Sequence, residues 1–150
     1  MLEESSFQNV DQTTLVNQAD DKIDEMHSMA YVYYQNKHYQ EADALFRILV
    51  VIAPQNYKYW KGLGACLQMK KNYKDALNCY RCAQALLKEK PDPYLDVHTA
   101  DCHFALKQIE EGLKALERAK STAKKQPNQA ILQHVSFMRE RWNNKRTGGG

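Results

Sequence analysis

Residues 57–83, YKYWKGLGACLQMKKNYKDALNCYRCA, decide the fold. Trp60, Leu63, Gly64 and Leu67 fall at the i, i+3, i+4, i+7 spacing of one helical stripe, and beyond Lys71-Asn72 a second stripe follows through Tyr73, Ala76, Leu77, Tyr80 and Ala83. The stretch therefore predicts two helices joined by a short turn. Gly64 and Ala76 are small enough to let the pair approach closely, and Trp60 and Tyr80 are large enough to fill the space beside them.

Laid over the rest of the chain, this pair recurs. Tyr39/Tyr73/Ile109, Ala42/Ala76/Gly112 and Phe46/Tyr80/Leu116 repeat together, and Ala30/Gly64/Ala100 open the same units. The first two copies are 34 residues apart and the third follows 36 later, the period of the tetratricopeptide helix pair. One pair cannot bury its own apolar face, whereas three in a row share a continuous core and leave a concave side for a partner.

Working outward, unit one reads as helix A from Ile23 to Gln35, with Met26, Met29, Ala30 and Tyr33 in its stripe, and helix B from Tyr39 to Ile52, with Ala42, Leu45, Phe46 and Leu49. Pro54 lies just past that helix, and Asn56 caps the next. The two additional residues before unit three fall between Leu86 and Pro93, where Asp92-Pro93 reads as an N-cap followed by proline at the first helical position. Unit three is the most divergent copy, with Asp96 in the place of Trp60 and His103 in the place of Tyr33. A last helix over 128–143 carries Ile131, Leu132, Val135, Met138 and Trp142 on one face, as expected of an element covering the end of a stack. The expected architecture is all-α: three tandem helix pairs (about 23–56, 57–92 and 93–126) in a right-handed superhelix. An N-terminal helical segment (1–21, with Val10, Leu15, Val16 and Ala19) precedes them as a lid or dimer contact. A capping helix (127–146) and a flexible tail (147–150) follow.

Composition fits one small domain. A chain of 150 residues buries roughly two-thirds of its unfolded surface, enough to be stable without staples. With 43% hydrophobic and 26% charged residues it is globular and not disordered. No apolar run reaches the roughly 20 residues of a membrane span, which argues against direct membrane insertion. The start is acidic (Glu3, Glu4, Asp11, Asp20, Asp21, Asp24 and Glu25 against Lys22), the opposite of a secretory signal, so a cytoplasmic location is expected. Four cysteines suit a compartment that keeps thiols reduced.

The block from Phe46 to Pro54, the Tyr59-Trp60-Lys-Gly62-Leu63-Gly64-Ala65-Cys66 run, Tyr73 to Ala76, Tyr80 to Ala83 and the His98-Thr-Ala100-Asp-Cys102 run together resemble the class II chaperones of bacterial type III secretion. The resemblance covers about residues 22–120, and the Gly-Leu-Gly-Ala-Cys and His-x-Ala-x-Cys runs are its most specific parts. It implies a small cytosolic protein that holds the hydrophobic translocators of a secretion system before export, and the residues themselves point to neither an enzyme nor a cofactor. Members often carry a Gly-rich segment and a longer N-terminal helix used in dimerisation. No such glycine run stands here, which removes support for a homodimer by that route without closing others.

In this architecture the second, fifth, ninth and twelfth positions of each A helix face the concave groove. Counted from Ile23, Tyr57 and Pro93, these are Asp24, His27, Tyr31 and Tyr34, then Lys58, Lys61, Ala65 and Gln68, then Tyr94, Val97, Asp101 and Phe104. The tyrosines and Phe104 carry no packing duty on this register and are expected to anchor apolar side chains of an extended client segment.

Other chemistries find less support. Cys79-x-x-Cys82 lies within a helix with no second Cys or His pair at zinc-ligand spacing, while Cys66 and Cys102 occupy one small-residue position in two units, a packing signature. The five histidines form no triad pattern, Glu110-Glu111 suit the dipole at a helix start, and Gly62-x-Gly64 lacks the strand of a phosphate loop. The basic C-terminal third, from Lys114 to Arg146, reads as a solvated face and not a nucleic-acid site. The rival is a tetratricopeptide scaffold or co-chaperone gripping another protein's peptide. A clamp for a terminal carboxylate needs Lys, Asn and Arg where this chain has His27, Tyr31, Gly62, Tyr94 and His98, so such a scaffold would take an internal segment.

Overall fold

In the computed structural model, which describes residues 11–88 and 90–147, helices alternate with short turns and no strand occurs among the described residues. The helices are α1 (Gln12–Gln35), α2 (Tyr39–Ile52), α3 (Tyr57–Met69), α4 (Tyr73–Leu86), α5 (Pro93–Ala105), α6 (Ile109–Lys125) and α7 (Gln129–Thr147). Each packs on its neighbour in the chain. Beyond that, α1 touches α3, α3 touches α5 and α5 touches α7, so the A helices share one wall of the stack.

Starts and stops follow the local chemistry. Asn56 and Asp92 each accept a hydrogen bond from the backbone N–H two residues on, of Lys58 (3.1 Å) and Tyr94 (2.9 Å), and Pro93 occupies the first turn of α5. The two additional residues lengthen the α4–α5 connection, 87–92 against 53–56, and not the helix. All three hairpins turn on a lysine in the left-handed region, Lys37 (φ 65°), Lys71 (φ 64°) and Lys107 (φ 63°). The amides of each lysine and of the next residue bond back to Tyr34 and Tyr33, to Gln68 and Leu67, and to Phe104 and His103, which is a Schellman closure repeated three times.

Of the N-terminal segment read as separate over 1–21, the described part is continuous with the first repeat. From Gln12 it is the opening of α1, about three turns before Ile23, capped by Asp11 accepting from the Thr13 amide at 3.1 Å. Leu15 and Val16 lie there, 52% and 58% exposed. Val10 and the glycines of 148–150 lie outside the described residues.

Two apolar cores meet at α5. Leu95 and Cys102 join the core of the first four helices, whereas Val97, Ala100 and Phe104 join α6 and α7 through Ala115, Leu116, Ile131, Val135 and Trp142. Rings fill the places that missing β-carbons leave open. A Cβ on Gly64 would stand 2.6 Å from Tyr80, one on Gly62 2.3 Å from Phe46, and one on Gly112 2.3 Å from Phe104. The stripe of α3 includes buried Tyr59, while Trp60 is half-buried and donates from Nε1 to the Pro54 carbonyl at 2.7 Å. Met29, read as part of the α1 stripe, is 53% exposed.

Two aspartates are buried, and each is paired. Arg47 and Lys70 converge on Asp43, the latter at 3.0 Å. Burial alone would raise the Asp43 carboxyl, but hydrogen bonds and charge from these two cations outweigh it and hold the pKa below the usual carboxylate value. Asp96 accepts from Arg118 and from Gln84, both at 3.1 Å, tying α5 to α6 and α4. No helix among the described residues is long and apolar enough to cross a membrane.

Candidate client groove

A cavity of about 360 Å³ opens between α1 and α3 on the shared wall. From α1 come His27, Tyr31 and Tyr34, and from α3 come Lys58, Lys61 and Ala65, six of the positions expected to face it. Four further residues complete the lining: Tyr57, Gly62, His98 of α5, and Phe46, whose ring reaches the floor because Gly62 has no side chain. The Gly62–Phe46 fit was hidden in the sequence, since a glycine and the ring it admits lie sixteen residues apart on different helices. His98 falls at the sixth position of its helix, outside the four-position rule.

The rings are held at fixed angles. His27 meets Tyr59 edge-on at 5.0 Å between centroids and Phe46 at 6.0 Å. Tyr34 meets Tyr39 at 5.5 Å, and His98 stacks on buried Tyr80 at 5.7 Å with 18° between planes. Tyr31 is 54% exposed. Burial and then the Lys58 charge lower the His27 pKa against Asp24, and burial and then Lys61 lower that of His98 against Asp92. Burial raises the Tyr34 phenol. At neutral pH the lining therefore has uncharged rings, and its cations are the two lysines.

The other expected groove residues lie elsewhere. Gln68 is half-buried and its Oε1 accepts from the Tyr80 hydroxyl at 2.6 Å, so it fixes a core ring. Tyr94, 45% exposed, borders a separate hollow near Asp92, Pro127 and Asn128, with Lys61 Nζ 5.6 Å from its ring centroid. Val97 and Phe104 face no groove: they are 8% and 2% exposed within the second core, and Trp142 of α7 stacks on Phe104 at 4.5 Å and 8°. The packing duty denied to Phe104 in the sequence reading is its main one. Asp101 is half-buried, with its pKa raised by burial against the opposing charge of His134. Asp24 borders an adjoining polar hollow with Asp20, Asn56 and Tyr59.

The thiols are not arranged for chemistry. Burial pushes Cys66 and Cys102 up to about 12 and Cys79 up to about 11, whereas Cys82 is exposed. Among the described residues, no group of three or more His, Cys, Asp or Glu stands where it could hold a metal ion.

Comparison with known proteins agrees with this architecture. The tetratricopeptide repeat family matches residues 23–56 and 57–90. Low calcium response locus protein H of Yersinia pseudotuberculosis is 26% identical over 121 residues, which cover 80% of this chain and 71% of that protein. Chaperone protein SicA of Salmonella typhimurium is 29% identical over 97 residues, covering 65% of this chain and 58% of that one. Among solved structures, the type III secretion chaperone SycD of Yersinia enterocolitica, in complex with a peptide of the translocator YopD, superposes with a TM-score of 0.78. It is 25% identical, over 84% of this chain and 95% of that one.

Proposed function

The chain belongs to the tetratricopeptide chaperones of type III secretion, and from that premise we propose that it keeps hydrophobic translocator proteins soluble by holding an extended segment of them in the α1–α3 groove. It is a binding protein and not an enzyme. The observation that carries the reading is the groove itself, about 360 Å³ lined by Tyr31, Tyr34, Tyr57 and Phe46, with Tyr31 more than half exposed.

The physical logic is protective. A translocator must later enter a membrane, so it carries apolar stretches that aggregate in water, and covering part of them against rigid rings lowers the exposed apolar area. A tyrosine serves this well because its face takes aliphatic side chains while its hydroxyl bonds a passing peptide backbone. The client remains extended, which suits a chain awaiting export. This work belongs in the bacterial cytoplasm, where clients are synthesised.

Co-expression with a candidate hydrophobic translocator of a type III secretion system tests the reading. The wild-type chain keeps such a client in the soluble fraction as a co-purifying complex. Tyr31→Ala lowers the soluble fraction of the client while keeping the wild-type thermal transition. Equal solubility of the client with both variants would remove the groove from the account. A client that pellets even with the wild-type chain would count against the chaperone role itself.

A further inference from the structure

One wall of the groove carries cations, and among the described residues its lining contains no carboxylate. Lys58 and Lys61 stand at i and i+3 on α3 and so project on one side of that helix. Lys61 is engaged, with its Nζ 2.6 Å from Asp92 Oδ2. Lys58 has no carboxylate partner among the described residues. Asp24, the acid whose charge reaches His27 from α1, borders the adjoining hollow and not the groove.

A guest that presses apolar side chains onto Tyr31, Tyr34 and Phe46 displaces water from beside Lys58. Removing water from an unpaired ammonium is unfavourable unless an anion replaces it. The opposite wall offers phenols and rings, which cannot supply that anion at neutral pH. No residue described in the lining supplies it, so the guest is the natural source of the compensation.

We propose that the groove selects apolar segments that carry an aspartate or glutamate, whose carboxylate pairs with Lys58. This rests on the reading of the groove as the client site and adds a chemical class to it: the bound segment is amphipathic, with its acid set among its anchors. Lys58 is then the residue that decides among apolar peptides, while the rings decide between apolar and polar ones. Burial first, and then the charge of Lys58 or Lys61, lowers the pKa of His27 and His98, so at neutral pH the lysines are the cations that the groove offers an acid.

Panning a random-peptide phage library on the wild-type chain and on Lys58→Gln tests this. Lys58 is exposed, so the variant keeps the fold. The wild type is expected to enrich peptides with apolar residues and at least one Asp or Glu, and Lys58→Gln to enrich the same apolar pattern without the acid. In calorimetry, exchanging the acid of a selected peptide for its amide should weaken binding to the wild type about fivefold, the difference between a charge-assisted and a neutral hydrogen bond, and leave binding to Lys58→Gln unchanged. Selection of apolar peptides with no acid enrichment would overturn the inference and leave the groove reading standing. Selection of acid-bearing peptides equally by both proteins would overturn the role of Lys58. Failure to select any peptide would overturn the groove reading and this inference with it.

Discussion

The first two repeats and the third use the same helical register to opposite ends. At the twelfth position of each A helix stand Tyr34, Gln68 and Phe104. The first two are half-buried, while Phe104 is 2% exposed. The cause lies in the facing B helix. Ala42 and Ala76 carry a Cβ there, whereas Gly112 has none and Phe104 fills the gap, with Trp142 of α7 stacked on its other side. Facing a groove is thus not a property of a repeat position alone: at Phe104 a glycine on the neighbouring helix and the stacked ring of Trp142 together pack the side chain away.

Removing the cover should have the largest effect. Trp142 is 8% exposed and its ring lies flat on Phe104, so Trp142→Ala leaves a large void and should cost about 3 kcal/mol in chemical denaturation. Its Nε1 is buried with no acceptor among the described residues, so Trp142→Phe, which keeps a stacked ring and removes the orphan donor, should cost much less. Affinity for a groove-binding peptide should survive both changes, because neither Trp142 nor Phe104 lines the open groove. Loss of binding in Trp142→Phe at wild-type stability would mean that the third repeat also holds the client.

Restoring the methyl group comes next. In Gly112→Ala the added Cβ would stand 2.3 Å from Phe104, so the ring must shift and the change should cost about 2 kcal/mol, typical of an overpacked core and larger than alanine's gain in helix propensity. Gly62→Ala makes a like collision with Phe46, but at the floor of the groove, so it should weaken peptide binding as well as stability. The comparison breaks if Gly112→Ala weakens peptide binding as strongly as Gly62→Ala does.

Much of this was legible in residues and some was not. The helix pairs follow from apolar spacing and from Asn56, Asp92 and Pro93, because capping and φ restriction act locally. The forward extension of α1 had a readable signal that a boundary at Ile23 overrode: from Gln12 to Gln35 there is neither glycine nor proline, and nothing stops a helix. His27, Tyr31, Tyr34, Lys58, Lys61 and Ala65 could be placed by counting because α1 and α3 follow one register. Phe46 and the burial of Phe104 could not, since each depends on a glycine in another helix. One of the two cations paired with buried Asp43, Lys70, likewise comes from 27 residues away, which no local pattern announces.

A smaller effect is expected on the exposed side of the comparison. Tyr31 projects into the groove with 54% of its surface free, so Tyr31→Ala should weaken peptide binding by just over 1 kcal/mol in calorimetry, in the range of an interface anchor, without moving the unfolding midpoint. Tyr34→Ala should lower affinity by a similar amount but also lower the midpoint, because Tyr34 is half-buried against Tyr39. A Tyr31→Ala protein with unchanged affinity would make the open repeats no more a binding surface than the closed one.

The smallest effect isolates what the repeats share. Lys37, Lys71 and Lys107 each hold a positive φ, a conformation unfavourable by about 1–2 kcal/mol for a residue with a Cβ, while glycine there gives back about 0.5–1 kcal/mol through its freer unfolded chain. Lysine to glycine at any of the three should therefore stabilise by about 0.5 kcal/mol, read as a shift of the denaturation midpoint at constant slope. The three hairpins close with the same pair of amide bonds, so the gain should be the same in the open repeats and the closed one. Equal gains at Lys71 and Lys107 would assign the difference between the repeats to Gly112 and α7. A gain confined to Lys37 and Lys71 would mean that packing of α7 strains or braces the third turn, and that the cover acts on the whole hairpin beneath it.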